Sequence, residues 1–357
     1  MEDLVVNRFF LSLIVILTVG TFSSLAQTRS NCRTNTPFNP NAKPSAVGIE
    51  LSRDEKTLLV ASSDGKVRVI DVETGDVERT LSGHTNSLYK AIYSPDEKLV
   101  VTSSRDHTAR LWNARTGEQA RTLDGFRCAV KAVAFSPDGR LVAASGNDGM
   151  LKVWDANTGR ELRSMVHKDS PDIDMGTYSF VFTGDGKRIF AANGDGTISE
   201  WNVRTGREIT NWKNSDPTQM TVAIDPKHKR LAALSCAAIK IWDTETRREI
   251  HSLEMPRADG DEPFGTALTF SRDGRLVAAS NSGFDQKGAS YLYLQTVIWD
   301  VKTGKRLFVL KNQKFDIDGL IFTRDGRTLL SSSIDGTINF WDTQTGNLKR
   351  TILLTPK

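Results

Sequence analysis

Seven times along this chain, a bulky apolar residue is followed directly by Asp or Asn, and a turn that reads Thr-Gly, or Thr-Arg in one copy, begins three residues later. Successive pairs lie 41 to 57 residues apart, and three of the six intervals are 42 residues. A period near 40 residues indicates one supersecondary unit copied many times, so the whole chain must be interpreted as a repeat. The pairs are Ile70-Asp71, Trp112-Asn113, Trp154-Asp155, Trp201-Asn202, Trp242-Asp243, Trp299-Asp300 and Trp341-Asp342.

Each repeat unit contains four short segments that are typical of β-strands. In the third unit these segments are Val130–Phe135, Leu141–Ser145, Leu151–Trp154 and Glu161–Met165. Apolar residues tend to recur at every second position, and pairs such as Asp-Gly and Thr-Gly separate the segments, as expected for strands joined by tight turns. Seven such units predict 28 strands, and we find no helical period outside the N-terminal segment.

The turn and strand motifs resemble those of the WD40-repeat family. Residues 136–139 read Ser-Pro-Asp-Gly, residues 335–337 read Asp-Gly-Thr, and Trp341 is followed by Asp342. The resemblance covers nearly everything after Ser45. It implies an all-β fold, namely a seven-bladed WD40-type β-propeller with four antiparallel strands per blade around a central channel.

The composition changes twice near the N-terminus, and these changes set the expected domain boundaries. We expect a signal peptide at 1–26, a flexible polar leader at 27–45, and the propeller at 46–354. The blades are expected at about 46–83, 84–125, 126–167, 168–214, 215–255, 256–312 and 313–354. The chain begins on an inner strand and ends on an outer one, so we expect side-chain packing between the first and last blades to close the ring, unless part of 31–45 adds an edge strand.

The N-terminal segment resembles a secretory signal. Residues 9–22 are apolar and uncharged, Arg8 precedes them, and Ser24 and Ala26 are small residues that fit a cleavage site after Ala26. An uncleaved membrane anchor is the alternative, although the apolar run is short for a bilayer span. We therefore expect an exported protein, either periplasmic or extracellular, that has no membrane contact once the signal is cleaved.

The three cysteines do not form a disulfide framework. An exported protein is permitted to form disulfides, but Cys32, Cys128 and Cys236 are few and odd in number. At most one bridge can form within the chain, and the expectation is that none does.

The family resemblance implies a hydrogen-bonded set of His, Ser or Thr, Asp and Trp within a blade. The second blade supplies all four members as His84, Thr102, Asp106 and Trp112. Elsewhere the Asp persists as Asp64, Asp148, Asp195 and Asp335, but the His is expected to be missing, and Cys236 takes the Asp position of the fifth blade. A catalytic dyad of His84 and Asp106 is the alternative, and spacing and resemblance favour a buried support network instead.

Three connections are longer than their counterparts in other blades, and the propeller fold places all three on one face. They are 167–176, 255–265 and 281–296. Insertions clustered on one face often mark the binding face of a repeat protein, and aromatic residues are enriched at interfaces. Ordinary surface variation is the alternative, in which the stretch from Tyr291 to Leu294 simply lengthens a strand. The candidate binding-face residues are Asp172, Asp174, Asp259, Asp261, Glu262, Phe284, Tyr291 and Tyr293.

The sequence offers no recognisable catalytic or metal-binding motif. The five His residues show no metal-ligand spacing, and the net charge of +4 is small and dispersed, which argues against nucleic-acid binding. We expect no cofactor, no metal and no catalytic residues. The predicted function is a monomeric, exported scaffold that binds a protein or peptide. The alternative is a periplasmic propeller enzyme or cofactor-binding protein of the dehydrogenase or lactonase kind, which needs His, Asp or Glu converging on the channel, and the sequence shows no such set.

Overall fold

The computed structural model describes residues 38–39, 43–167, 176–213, 221–235, 238–256, 264–284, 291–310 and 315–354. Within these residues all regular secondary structure is β-strand. The 28 strands form seven separate four-stranded antiparallel sheets. The expected all-β, seven-bladed propeller is confirmed. No helix in this part of the chain is both long enough and apolar enough to span a bilayer. The expected signal peptide and nearly all of the leader lie outside the described residues.

Each blade runs outward from the channel in chain order, from an inner strand a to an outer strand d. The first four blades are β1 (Ala46–Leu51), β2 (Thr57–Ser62), β3 (Lys66–Asp71) and β4 (Val77–Ser82); β5 (Leu88–Tyr93), β6 (Leu99–Ser104), β7 (Ala109–Asn113) and β8 (Gln119–Leu123); β9 (Val130–Phe135), β10 (Leu141–Gly146), β11 (Met150–Asp155) and β12 (Glu161–Val166); β13 (Thr177–Phe182), β14 (Arg188–Asn193), β15 (Thr197–Asn202) and β16 (Glu208–Lys213).

The last three blades repeat this order, and the sixth blade has the longest strands. They are β17 (Thr221–Ile224), β18 (Arg230–Leu234), β19 (Ala238–Asp243) and β20 (Glu249–Glu254); β21 (Phe264–Phe270), β22 (Leu276–Phe284), β23 (Tyr291–Asp300) and β24 (Arg306–Leu310); β25 (Ile317–Phe322), β26 (Thr328–Ser333), β27 (Thr337–Asp342) and β28 (Leu348–Leu353). In every blade the chain enters at the channel and leaves at the rim.

The apolar core lies between the blades. Seven clusters of buried side chains are present among the described residues, and each cluster joins two neighbouring blades. For example, Trp112 of the second blade packs with Leu59 and Val67 of the first. One twisted sheet cannot bury both of its faces alone, and stacking between two neighbours buries both, so the ring is the cooperative unit.

The repeated turn after each c strand has a direct physical cause. The Asp71 carboxylate accepts a hydrogen bond from the Thr74 N–H at 2.7 Å, and the Gly75 N–H donates to the Asp71 carbonyl at 2.9 Å. Gly75 has a φ of 80°, a region that favours glycine. In the fifth blade Arg247 occupies the glycine position with a φ of 58°, so that turn accepts a strained residue.

Ring closure uses side chains, as expected, and no sheet is shared between the two ends of the described chain. A cluster that includes Leu58 and Ile70 of the first blade with Ile338 and Ile352 of the last fills the junction. The Arg350 guanidinium also donates to the carbonyls of Val72 and Glu73. The same contact occurs between other blades, where Arg79 donates to the Ala114 carbonyl and Arg163 to that of Arg204. The closing junction is therefore built like the others.

Candidate binding face

The strand ends that flank the three long connections all lie at one end of the propeller. We call this end the upper face: it is formed by the connections between blades and by the b–c hairpins, and each a strand begins there. The lower face is the opposite end. Of the candidate residues, Asp172 and Asp174 precede β13, and Asp259, Asp261 and Glu262 precede β21; these five lie outside the described residues.

The insertion in the sixth blade extends a β-hairpin at the upper face. Strands β22 and β23 contain nine and ten residues, and their pairing continues to Gly283 opposite Tyr293 and Phe284 opposite Tyr291. The stretch from Tyr291 to Leu294 thus belongs to a lengthened strand. The backbone of Phe284, Tyr291 and Tyr293 lies in this extension, which gives the upper face a ridge that the other blades lack.

A cavity of about 580 Å³ occupies the upper part of the central channel. The beginnings of the a strands line it, and Gly48, Gly265 and Gly319 are among the lining residues. A smaller cavity of about 350 Å³ opens at the lower end, where Glu50 and Ile92 line both spaces. The channel is therefore open to both faces and wider near the upper one.

Two cations meet on one aromatic ring at the upper mouth of the channel. The Lys131 ammonium lies 4.2 Å from the centroid of the Tyr89 ring, and the Arg105 guanidinium carbon lies 5.5 Å from it. The Arg105 Nε–H also donates to the Tyr89 hydroxyl at 2.9 Å. The Arg105 N–H donates a hydrogen bond to the Ser87 carbonyl at 2.9 Å, which fixes the position of the backbone that carries the guanidinium.

Carboxyl groups also line the channel, and their pKa values are displaced. Burial raises the pKa of Asp318 to about 7, and the charge of Asp316 adds to the rise, while Lys131 and Arg105 oppose it. Burial likewise raises the pKa of Glu50 to about 7, against the attraction of Lys90. The expectation that no Asp or Glu converges on the channel is therefore wrong, because the sequence was read blade by blade.

These channel residues carry a sequence signal that was missed. Tyr89, Lys131 and Asp318 each stand five residues before the Ser or Thr that opens the following turn, at Ser94, Ser136 and Thr323. In a repeat fold, equal positions in successive units lie on one ring. Aligning the a strands on their turns would have collected these side chains at the same level of the channel.

The titration of Glu50 provides a testable prediction. An unfolded chain ionises this carboxyl near pH 4.5, whereas the folded protein retains the proton up to about pH 7. Between these values the folded state binds more protons, so its stability falls as pH rises. Glu50→Gln is expected to stabilise the protein by about 1–2 kcal/mol above pH 7 and to have no effect below pH 4.5, after allowance for screening by water in the channel.

Urea unfolding at pH 4 and pH 8 measures this difference. Glu73→Gln is the matched control, because Glu73 is an exposed glutamate of the same blade. A stabilisation by Glu50→Gln that is equal at both pH values would contradict a buried, protonated Glu50.

The second blade contains a fully formed buried polar set. His84 Nδ1 lies 2.7 Å from an Asp106 carboxylate oxygen, and His84 Nε2 lies 2.6 Å from the Thr102 hydroxyl. The Trp112 indole N–H donates to the same hydroxyl at 2.9 Å. Burial lowers the pKa of His84. Burial works to raise the pKa of Asp106, but the hydrogen bond and charge of His84, together with hydrogen bonds from Thr108 and the Thr85 N–H, outweigh it and hold that pKa well below its usual range.

The position of this set favours structure over catalysis. The side chains of His84 and Asp106 are almost completely inaccessible to solvent, and neither residue lines the channel cavities. A catalytic dyad must reach a substrate. The four residues therefore tie the b–c hairpin to the connection that enters the blade.

A second His–Asp set in the fourth blade corrects the expectation that His occurs in the second blade alone. His167 Nε2 lies 3.1 Å from Asp195, and His167 Nδ1 lies 3.1 Å from the Ser199 hydroxyl. His84 stands 22 residues before its Asp, whereas His167 stands 28 residues before Asp195, because an insertion follows it. From the sequence, His167 was therefore interpreted as part of a loop. In the third blade Phe126 takes the His position and contacts Trp154, with ring centroids 5.9 Å apart.

The structure also corrects the expectation about cysteines. Cys128 is buried and disulfide-bonded. Cys32 and Cys236 lie outside the described residues. The number of cysteines is a poor guide here, because a single bridge needs only two of them and the third can stay reduced.

One known family model matches parts of this chain. The family model described as "WD domain, G-beta repeat" matches residues 75–113, 117–155 and 304–342. Each match begins in or directly after the turn before a d strand and ends at the Trp-Asp or Trp-Asn pair of the following blade, so each spans two blades. Among curated proteins, none matches the chain significantly. In the described residues, no group of three or more His, Cys, Asp or Glu side chains is arranged to hold a metal ion.

Proposed function

Because this chain is a WD40-repeat β-propeller, we propose that it is an exported, non-catalytic scaffold that holds a protein or peptide partner on its upper face. WD40 propellers generally bind proteins or peptides. The observation that carries the proposal is that the strand ends flanking the three insertions, at 167–176, 255–265 and 281–296, all lie at the upper face. The lower face has no comparable additions.

The shape of the upper face supports this proposal. The pairing of β22 and β23 continues to Phe284 opposite Tyr291, which lengthens this hairpin at the upper face. The channel mouth offers a cavity of about 580 Å³ lined by an aromatic ring, three cations, two carboxyl groups and small residues. Phe315, at the entrance to the last blade, is 40% exposed. Concave sites with a few polar anchors and nearby aromatic residues are typical of recognition surfaces.

Two observations support export. The apolar segment at 9–22 fits a secretory signal. The disulfide at Cys128 fits a compartment that is oxidising, since disulfides seldom persist in the cytosol of mesophiles. Exported domains reach such compartments through the signal, so the two observations are consistent with each other.

Affinity capture from the native envelope tests the proposal. The purified protein is expected to retain a specific partner, and a variant with the three insertions shortened to the lengths found in other blades is expected to lose it. A variant with altered lower-face turns, Glu55→Gly and Glu97→Gly, is the control, because Gly139 takes that position in the third blade. Retention of the partner by the shortened variant, or stoichiometric metal, haem or quinone in the purified protein, would contradict the proposed scaffold.

A further inference from the structure

We propose that Arg105 and Lys131 form a site at the upper mouth of the channel that binds an acidic side chain of the partner. This inference rests on the proposed function, because it names the chemistry of the group that the partner places in the channel. The site consists of these two cations and the ring of Tyr89 that lies against both.

The two cations lie against one ring, and no carboxylate of the described residues forms an ion pair with either of them. Among the described residues, the Lys131 ammonium has no hydrogen-bond acceptor or carboxylate partner, and Arg105 uses only its Nε–H, to Tyr89. Two like charges on one ring repel each other, and a cation–π contact offsets this only in part. An anion between them would remove the repulsion.

The donors of the site suit an oxyanion. The two terminal nitrogens of Arg105 remain available as a pair of donors, and that geometry matches a carboxylate. Tyr89, Arg105 and Lys131 are all half-buried in the cavity. Partial removal from water strengthens a charge-assisted hydrogen bond relative to one on an open surface.

Two carboxyl groups, those of Asp316 and Asp318, belong to the last blade near the site. Asp318 lies near enough to be influenced by both Lys131 and Arg105 but forms no ion pair within 4.0 Å with either. Burial raises the pKa of Asp318 to about 7, so at neutral pH this carboxyl is only partly ionised and offsets the two positive charges only in part. Asp316 acts on Asp318 and lies on the same blade. The mouth therefore keeps a positive side, formed by the second and third blades.

Binding of randomised peptide pools tests the inference. Three pools of end-capped octapeptides, enriched in Asp and Glu, in Lys and Arg, or in Asn and Gln, are passed over the immobilised protein, and retained peptides are identified by mass spectrometry. We expect enrichment of the acidic pool. Arg105→Gln and Lys131→Gln are each expected to weaken binding of a retained acidic peptide by about tenfold, and 0.5 M salt is expected to weaken it further, since a Debye length of about 4 Å screens exposed charges.

Arg272→Gln is the matched control, because Arg272 is an exposed arginine at the lower mouth of the same channel. It is expected to leave binding unchanged, and Asp318→Asn is expected to preserve or strengthen it. Preference for the basic or neutral pool, or equal binding by Lys131→Gln, Arg105→Gln and the wild type, would overturn the inference.

The outcomes separate this inference from the proposed function. If the partner is captured equally by the wild type and by the Arg105→Gln and Lys131→Gln variants, the acidic site is wrong and the scaffold function stands. If acidic peptides bind but no partner depends on the upper-face insertions, the anion site stands and the scaffold function is wrong.

Discussion

Replacing the two arginines that surround Glu200 is expected to cost about 3–5 kcal/mol of unfolding free energy. Glu200 is completely buried on β15, and its carboxylate accepts hydrogen bonds at 2.7 Å from Arg188 and at 2.7 and 3.1 Å from Arg247 of the next blade. The proposed double variant is Arg188→Thr with Arg247→Gly, since Thr57 and Gly75 occupy these positions in the first blade. It leaves a carboxylate buried without a partner, which is the reason for the large loss. Equilibrium unfolding in urea measures it.

Glu200→Leu in the same background is expected to recover most of the loss. The residue before the repeated aromatic or Ile is apolar in the other six blades: Val69, Leu111, Val153, Ile241, Ile298 and Phe340. Apolar residues of suitable volume often replace buried ion pairs without loss of stability. A double variant as stable as the wild type, or a triple variant no better than the double, would show that Glu200 does not depend on its arginines.

Asp106→Ala is expected to destabilise the protein by about 3 kcal/mol, because it removes the acceptor for buried donors. Asp106 is close to His84, and it also accepts hydrogen bonds from the Thr85 N–H and the Thr108 N–H. The control is Asp335→Ala in the last blade. Asp335 accepts from the N–H and hydroxyl of Thr337 only, among the described residues.

The control variant is expected to lose about 1 kcal/mol, the usual cost of a hydrogen bond in a turn. The difference between the two losses isolates the contribution of the buried His. Thermal or urea unfolding of both variants is the measurement, and equal losses would mean that the His84 set does not stabilise the second blade more than an ordinary hairpin.

The repeat made the architecture predictable from the sequence. The residues that depart from the repeat were harder to interpret. The turn after each c strand needs an Asp or Asn that accepts a hydrogen bond from the N–H of a later Thr, and a residue with positive φ. Both requirements can be recognised in the amino-acid sequence. The number of blades follows from counting them. The mode of ring closure was also predictable, because each of the seven repeats supplies all four strands of its own sheet.

The channel site was missed because its members are remote in sequence. Tyr89, Lys131 and Asp318 come from three blades and make no motif together. Glu200 was missed for a similar reason, since its partner Arg247 stands 47 residues later in a turn position that glycine usually occupies. Contacts between blades depend on how the blades stack in the ring. The turn and strand motifs of a single repeat carry no information about that stacking.

Site-specific photo-cross-linking tests the central claim that the upper face holds the partner. A photoreactive phenylalanine analogue is placed at Phe315 on the upper face and, in a second protein, at Arg272 on the lower face; both positions are exposed. In the native envelope, the protein labelled at Phe315 is expected to form a discrete cross-linked species with a partner, and the protein labelled at Arg272 is expected to form none. A cross-link from Arg272 alone would contradict the account.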